Sequence, residues 1–172
     1  MPKVLVLMDG GDERIAAVAE SIHEGARSVR FAESDMMRLP GESGSPRVER
    51  LRVLDGAEGL LPYDAIVVGS PPGEMTRLAA MLERARGVGM AGKLANKLGS
   101  VFPATDPTAT GTDNPLWPLM APMARYGMVL VPPGYSGPEG TPEDLMSAGR
   151  RLGKRLVDIA GWITHARSHH QH

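Results

Sequence analysis

Three carboxylates and two glycines stand together near the start of the chain. Asp9, Gly10, Gly11, Asp12 and Glu13 follow the apolar run Val4 to Met8. They precede Ile15, Val18, Ala19, Ile22 and Ala26, which recur at helical spacing. A buried strand, a glycine turn and a helix in that order present backbone N–H groups at a helix N-terminus, a ready seat for a phosphate. The acids alter what can sit there. As capping groups, Asp12 and Glu13 satisfy free N–H groups and complement the helix dipole. A phosphate would compete for the same donors. Two like charges about 4 Å apart repel by roughly 4 kcal/mol at an effective dielectric near 20.

The other chemistry-bearing side chains are less organised. Ser70 and Ser100 lie outside any Gly-x-Ser-x-Gly elbow, and no His-Asp pair can be matched to them. A metal reading of Asp9 and Asp12 is tested against phosphoreceiver domains, which need an Asp ending the third strand and a Lys ending the fifth. Those strands end in Gly69-Ser70-Pro71 and Pro132-Pro133, so no metal ligands are assigned. No catalytic residue is assigned either. His23 reads as a surface or boundary residue, and His165, His169, His170 and His172 as part of a tail. Arg150, Arg151, Lys154 and Arg155 read as the solvated face of the last helix.

The elements that position these residues alternate along the chain. The first strand and helix are followed by a half-buried edge strand around Val29 and Phe31. The turn-rich segment Met36 to Arg47 reads as the most mobile loop. Ala65 to Gly69 is a second buried strand, and Met75, Leu78, Ala79 and Leu82 make a helical stripe. Leu98 to Phe102 is a strand. Asn114 and Pro115 open a helix, which Pro122 should kink or shorten. Met128 to Val131 is the last strand, and Thr141 with Pro142 opens a long closing helix. The alternation implies a doubly wound α/β domain: a five-stranded parallel sheet of order 2-1-3-4-5 with helices on both faces. Ligands in such sheets sit beyond the carboxyl ends of the strands, where the order reverses. That places the functional surface on the loops after Met8, Gly69 and Phe102.

Composition narrows the partners. The 172 residues suffice for one domain with a full core. A formal charge of -1 gives no case for nucleic acid. The chain has no Cys, which excludes disulfides and thiolate chemistry. No secretory signal or membrane-spanning run is evident, so a cytoplasmic protein is expected.

Several stretches carry a resemblance. KVLVL from Lys3, YDAIVVGSP from Tyr63, GKLANKLGSVF from Gly92 and YGMVLVPPGY from Tyr126 are similar to the flavodoxin-like NAD(P)H:quinone oxidoreductases of the tryptophan-repressor-binding-protein type. SAGRRLGKRLVDIAGWI from Ser147 resembles the closing helix of small flavodoxin-like relatives. The resemblance covers most of the chain, outside Met36 to Gly59 and the segment after Ile163. It implies a flavodoxin-like domain, drawn over residues 1–166; the His-containing residues 167–172 beyond it read as a disordered tail. It also implies FMN bound by three loops, NAD(P)H and quinone as partners, and a homo-oligomer as one option.

On these matches Gly10, Gly11 and Asp12 fall in the phosphate loop, where the family's Ser/Thr hydroxyls are missing. Ser70, Pro71, Pro72 and Gly73 fall in the second loop, which is shortened. Thr105 takes a hydroxyl position in the third, whose glycine run is replaced by Asp106, Pro107, Thr108 and Ala109. Tyr126 falls where the family has a His near the flavin. The insertion after the fifth strand is reduced to Ser136 to Gly140. Two functions from different classes follow: an FMN-dependent NAD(P)H:quinone oxidoreductase or electron carrier, and a flavodoxin-fold binding or assembly module without FMN.

Overall fold

Val4 to Met8 and Ala65 to Ser70 are buried along their whole length, so both must lie at the centre of a sheet covered on two sides. The structure, a computed structural model, describes residues 1–70, 76–86, 92–103, 116–133 and 142–169. The elements in chain order are β1 (Lys3–Met8), α1 (Glu13–Arg27), β2 (Glu33–Arg38), α2 (Pro46–Glu49) and β3 (Arg52–Val53). A 3-10 turn (Ala57–Leu60) leads to β4 (Ala65–Ser70) and α3 (Thr76–Ala85). Then come β5 (Leu98–Pro103), α4 (Leu116–Arg125), β6 (Val129–Leu130) and α5 (Pro142–His169).

All six strands are parallel, in the order β3-β2-β1-β4-β5-β6. The α/β doubly wound flavodoxin-like class is as expected. Its five principal strands keep the order 2-1-3-4-5, and the two-residue β3 adds a sixth at the edge. The order reverses between β1 and β4, where Val4 to Met8 pair with Ala65 to Gly69.

Alternation along the strands splits the core between two faces. Leu5, Leu7, Ile66, Val68 and Val101 pack with Leu78, Leu82, Met120 and Met123 of α3 and α4. Val4, Val6, Met8, Ala65 and Val67 pack with Ile15, Ile22, Leu152 and Leu156 of α1 and α5. The helices α1 and α5 approach closely through glycines. A Cβ on Gly25 would lie 2.2 Å from the Arg150 carbonyl oxygen, and one on Gly153 would lie 2.1 Å from that of Ile22.

Three local readings are corrected. The second strand is Glu33–Arg38, not a segment around Val29 and Phe31. Val29 to Ala32 instead turn the chain, with Phe31 at φ +62° and exposed under the Arg30 guanidinium. Met36 to Arg47 is not one loop: it contains half of β2 and the start of α2, which Ser45 caps. The closing helix runs through His169, so a tail drawn at 167 begins inside it. The expected helix starts at Asn114 and Thr141 lie outside the described residues, and α4 runs through Pro122.

Candidate functional site

The carboxyl ends of β1 and β4 meet at the reversal. There the Asp9 N–H donates to the Gly69 carbonyl at 2.8 Å, extending the ladder by one residue. Beyond it the chain turns through Gly10 at φ +77° and Gly11 at φ +117°, backbone that favours glycine.

The three acids then diverge. Asp12 is the N-cap of α1, and its Oδ1 accepts from the N–H groups of Arg14 at 3.0 Å and Ile15 at 3.1 Å. The capping reading of Asp12 therefore holds. Glu13 turns sideways: Ser45 Oγ donates to it at 2.6 Å, and Arg47 lies 3.4 Å away. Asp9 is 1% exposed, with the Arg77 Nε 3.8 Å from its Oδ1 and the Leu78 N–H 3.5 Å from its Oδ2.

The segment after β2 closes over this turn. Ser43 Oγ and the Gly44 N–H both donate to the Gly11 carbonyl, each at 3.0 Å. The same planar peptide carries the Asp12 N–H on its opposite side. Holding the carbonyl therefore turns that N–H away from the covering segment. Among the described residues, the N–H groups of Gly10, Gly11, Asp12 and Glu13 have no protein acceptor. Donors left open at a helix N-terminus can seat an anion. A cavity of about 610 Å³ opens beside it, lined in part by Asp12, Arg14, Gly44 and Met146.

The expected site residues are distributed unevenly. Gly10, Gly11 and Asp12 make the turn, and Ser70 ends β4, buried beside it. Pro71, Pro72, Gly73 and Thr105 lie outside the described residues. Tyr126 does not join the group. It follows α4 at the amino-terminal end of the sheet, where Gly127 accepts from Asn96, and its hydroxyl donates to Glu83 at 3.1 Å. Burial and this bond raise the Tyr126 phenol above its usual range and make it a tether between α3 and α4.

Arg77 was not legible from the sequence, since nothing in a helical stripe marks one arginine out. The structure places its guanidinium between Asp9, Gly10 and the Glu42 carbonyl, to which Nη1 donates at 3.0 Å. A second cavity, of about 440 Å³, lies by β3 between Arg52, Asp55 and Tyr63. There burial and the 2.7 Å bond to Asp35 push the Tyr63 phenol up to about 12, which leaves it a structural donor at neutral pH. Among the described residues no group of three His, Asp or Glu is placed to hold a metal, and no helix is long and apolar enough to cross a membrane.

An NAD(P)H dehydrogenase (quinone) of Cupriavidus metallidurans is 34% identical to this chain over 146 residues, covering 79% of this chain and 73% of that protein. The chain belongs to the NAD(P)H dehydrogenase (quinone) family. A second family member, from Chromohalobacter salexigens, is 32% identical over 168 residues and covers 91% of this chain and 84% of that protein. No protein-family model matches. Among solved structures, the chain is similar to a flavodoxin, WrbA-like protein of Agrobacterium tumefaciens, with a TM-score of 0.59, 17% identity and coverage of 94% and 99%. A flavodoxin from the domain Archaea gives 0.58, 17% identity and coverage of 92% and 99%. At that identity these show the fold alone, and it is the fold read from the strands. This member of the NAD(P)H dehydrogenase (quinone) family thus pairs a flavodoxin-type sheet with a carboxylate-rich first turn.

Proposed function

We propose that the protein is a flavin-dependent oxidoreductase that binds FMN at the β1–β4 reversal and passes electrons from NAD(P)H to a quinone. One observation carries this reading. Glu13 is drawn aside by Ser45 and Arg47, Asp12 caps the Arg14 and Ile15 amides, and the Gly10, Gly11, Asp12 and Glu13 N–H groups remain available to a phosphate. The residues present therefore fit the anionic end of the cofactor through backbone alone, without hydroxyls.

When bound, the flavin supplies hydride acceptance and electron transfer to the quinone. The chain's own part is to hold and orient it. Gly10 and Gly11 give the turn, and the Gly11 carbonyl, fixed by Ser43 and Gly44, aims the next amide. Ser70 places the second loop at the end of β4. Pro71, Pro72 and Gly73 would flank the ring, and Thr105 would contact the flavin or its ribityl chain. Tyr126, at the far end of the sheet, is left out of this assignment. A cytoplasmic location and a homo-oligomer accompany the reading, with neither nucleic acid nor membrane as partner.

The competing reading, a binding or assembly module without FMN, draws on Asp12. Its carboxylate occupies the Arg14 and Ile15 amides and would sit close to a bound phosphate. Reconstitution separates the two. The oxidoreductase reading expects the purified protein to take up FMN and then to oxidise NADH or NADPH with a soluble benzoquinone. A protein that ignores added FMN supports the module and overturns the enzyme.

A further inference from the structure

Arg77 is the second residue of α3, and its side chain reaches back across the reversal. A Cβ on Gly10 would lie 3.7 Å from its Nη1, and one on Gly41 only 2.7 Å away. Gly41 therefore makes room for the guanidinium, which lies within ordinary contact distance of Gly10. Its side chain remains 36% exposed, so it is not a sealed structural ion pair. A guanidinium carries five N–H donors in a planar fork suited to paired oxygens. Nη1 donates to the Glu42 carbonyl and Nε faces Asp9, which leaves donors on the fork for a ligand.

The charges around the turn show what such a ligand would need. Glu13 is matched by Arg47, which also reaches Glu20. Asp12 is matched by two amides. Arg38 spends its Nη1 on the Leu39 and Gly41 carbonyls. A phosphate arriving on the Gly10 to Glu13 amides would bring negative charge beside Asp9 and Asp12. Among the described residues, the cation beside Gly10 is Arg77.

We propose that Arg77 contacts the terminal phosphate of the flavin and sets the preference of this site for a phosphorylated over an uncharged flavin, a role that rests on the cofactor reading above. Charge-assisted, two-point contacts of this kind are about twice as strong as neutral hydrogen bonds. The guanidinium turns from the Glu42 carbonyl toward the phosphate while Asp9 keeps it near the turn.

The test is equilibrium titration of the full chain with FMN and, separately, with riboflavin, followed by quenching of flavin fluorescence. The proteins are wild type, Arg77→Ala and Arg77→Lys, each checked for folding by circular dichroism, with Arg77→Gln as the substitute if Arg77→Ala is misfolded. Arg77→Ala should weaken FMN binding by about tenfold or more and leave riboflavin within about twofold. Arg77→Lys should fall between, because it keeps the charge without the fork. Added salt should weaken FMN binding more in wild type than in Arg77→Ala. An Arg77→Ala protein that keeps the wild-type preference for FMN overturns the assignment and leaves the cofactor reading standing. A wild type that binds neither flavin overturns both.

Discussion

The Nε of Arg77 lies 3.8 Å from Oδ1 of Asp9, so the first residue after β1 and the first turn of α3 are joined across the point where the sheet reverses. Asp9 also accepts from the Leu78 N–H at 3.5 Å, and its own N–H holds Gly69. Asp9 thus ties β1 to β4 through its backbone and to α3 through its buried carboxylate. Removing it leaves the α3 amide and the arginine without this acceptor. Asp9→Ala should therefore lower stability by roughly 1–3 kcal/mol, and Asp9→Asn, which keeps an acceptor oxygen, by less. Urea denaturation of the two variants would check this; equal losses would mean that the acceptor at Asp9 does not matter.

Asp12 and Glu13 are adjacent acids with different surroundings, and they should respond differently. Asp12→Ala should cost about 1 kcal/mol of stability through the lost cap. Asp12→Ser should keep the cap, remove a charge beside the amides and tighten FMN binding. Glu13→Gln should leave FMN affinity within about twofold, because that carboxylate faces Ser45 and Arg47. Thermal melts and FMN titrations of the three variants would show it. A gain in affinity from Glu13→Gln equal to that from Asp12→Ser would contradict this account of the turn.

The close approach of α1 and α5 depends on small residues. Gly153→Ala would drive a methyl into the Ile22 backbone, which a flexible side chain cannot relieve. A loss of roughly 1–3 kcal/mol is expected, as for overpacked cores. Gly161→Ala serves as the control on the same helix, since its Cβ would only touch Pro2 at 3.6 Å and alanine favours helix. Paired denaturation curves should separate the two variants.

His23 supplies a pH dependence. Burial, then the nearby Arg27, lowers its imidazole pKa below the usual value of about 6.5. Its Nδ1 sits 2.9 Å from Ser34 Oγ, bridging α1 and β2. The unfolded chain then binds the proton first as pH falls. His23 therefore favours folding above about pH 6.5, and that contribution is lost as pH drops through the lower folded-state value. His23→Gln should flatten the fall in stability between neutral pH and about pH 5.5, measured by denaturant midpoints. An unchanged slope would remove His23 from the pH response.

The central strands and long helices were legible because their apolar residues repeat with the right period. Val4 to Met8 and Ala65 to Gly69 needed no partner to be recognised. β2 was not legible, and its residues explain why. Glu33 pairs with Lys3, Ser34 meets His23, and Asp35 accepts from Tyr63. Each polar group is satisfied by a side chain distant in sequence, so the segment lacks a strand's apolar alternation. The same holds at the site. The glycine turn and the Asp12 cap could be read locally. The sideways turn of Glu13 needs Ser45 and Arg47, and the position of Arg77 needs Gly41 and Asp9. Contacts across 30 to 70 residues leave no local pattern.

The central claim is that a phosphate can rest on the Gly10 to Glu13 amides despite the acids around them. A calorimetric titration of the full-length wild-type chain with FMN measures this most directly. The account predicts one site per chain and tighter binding of FMN than of riboflavin. No heat on adding FMN, with a thermal melt that does not move, would contradict it.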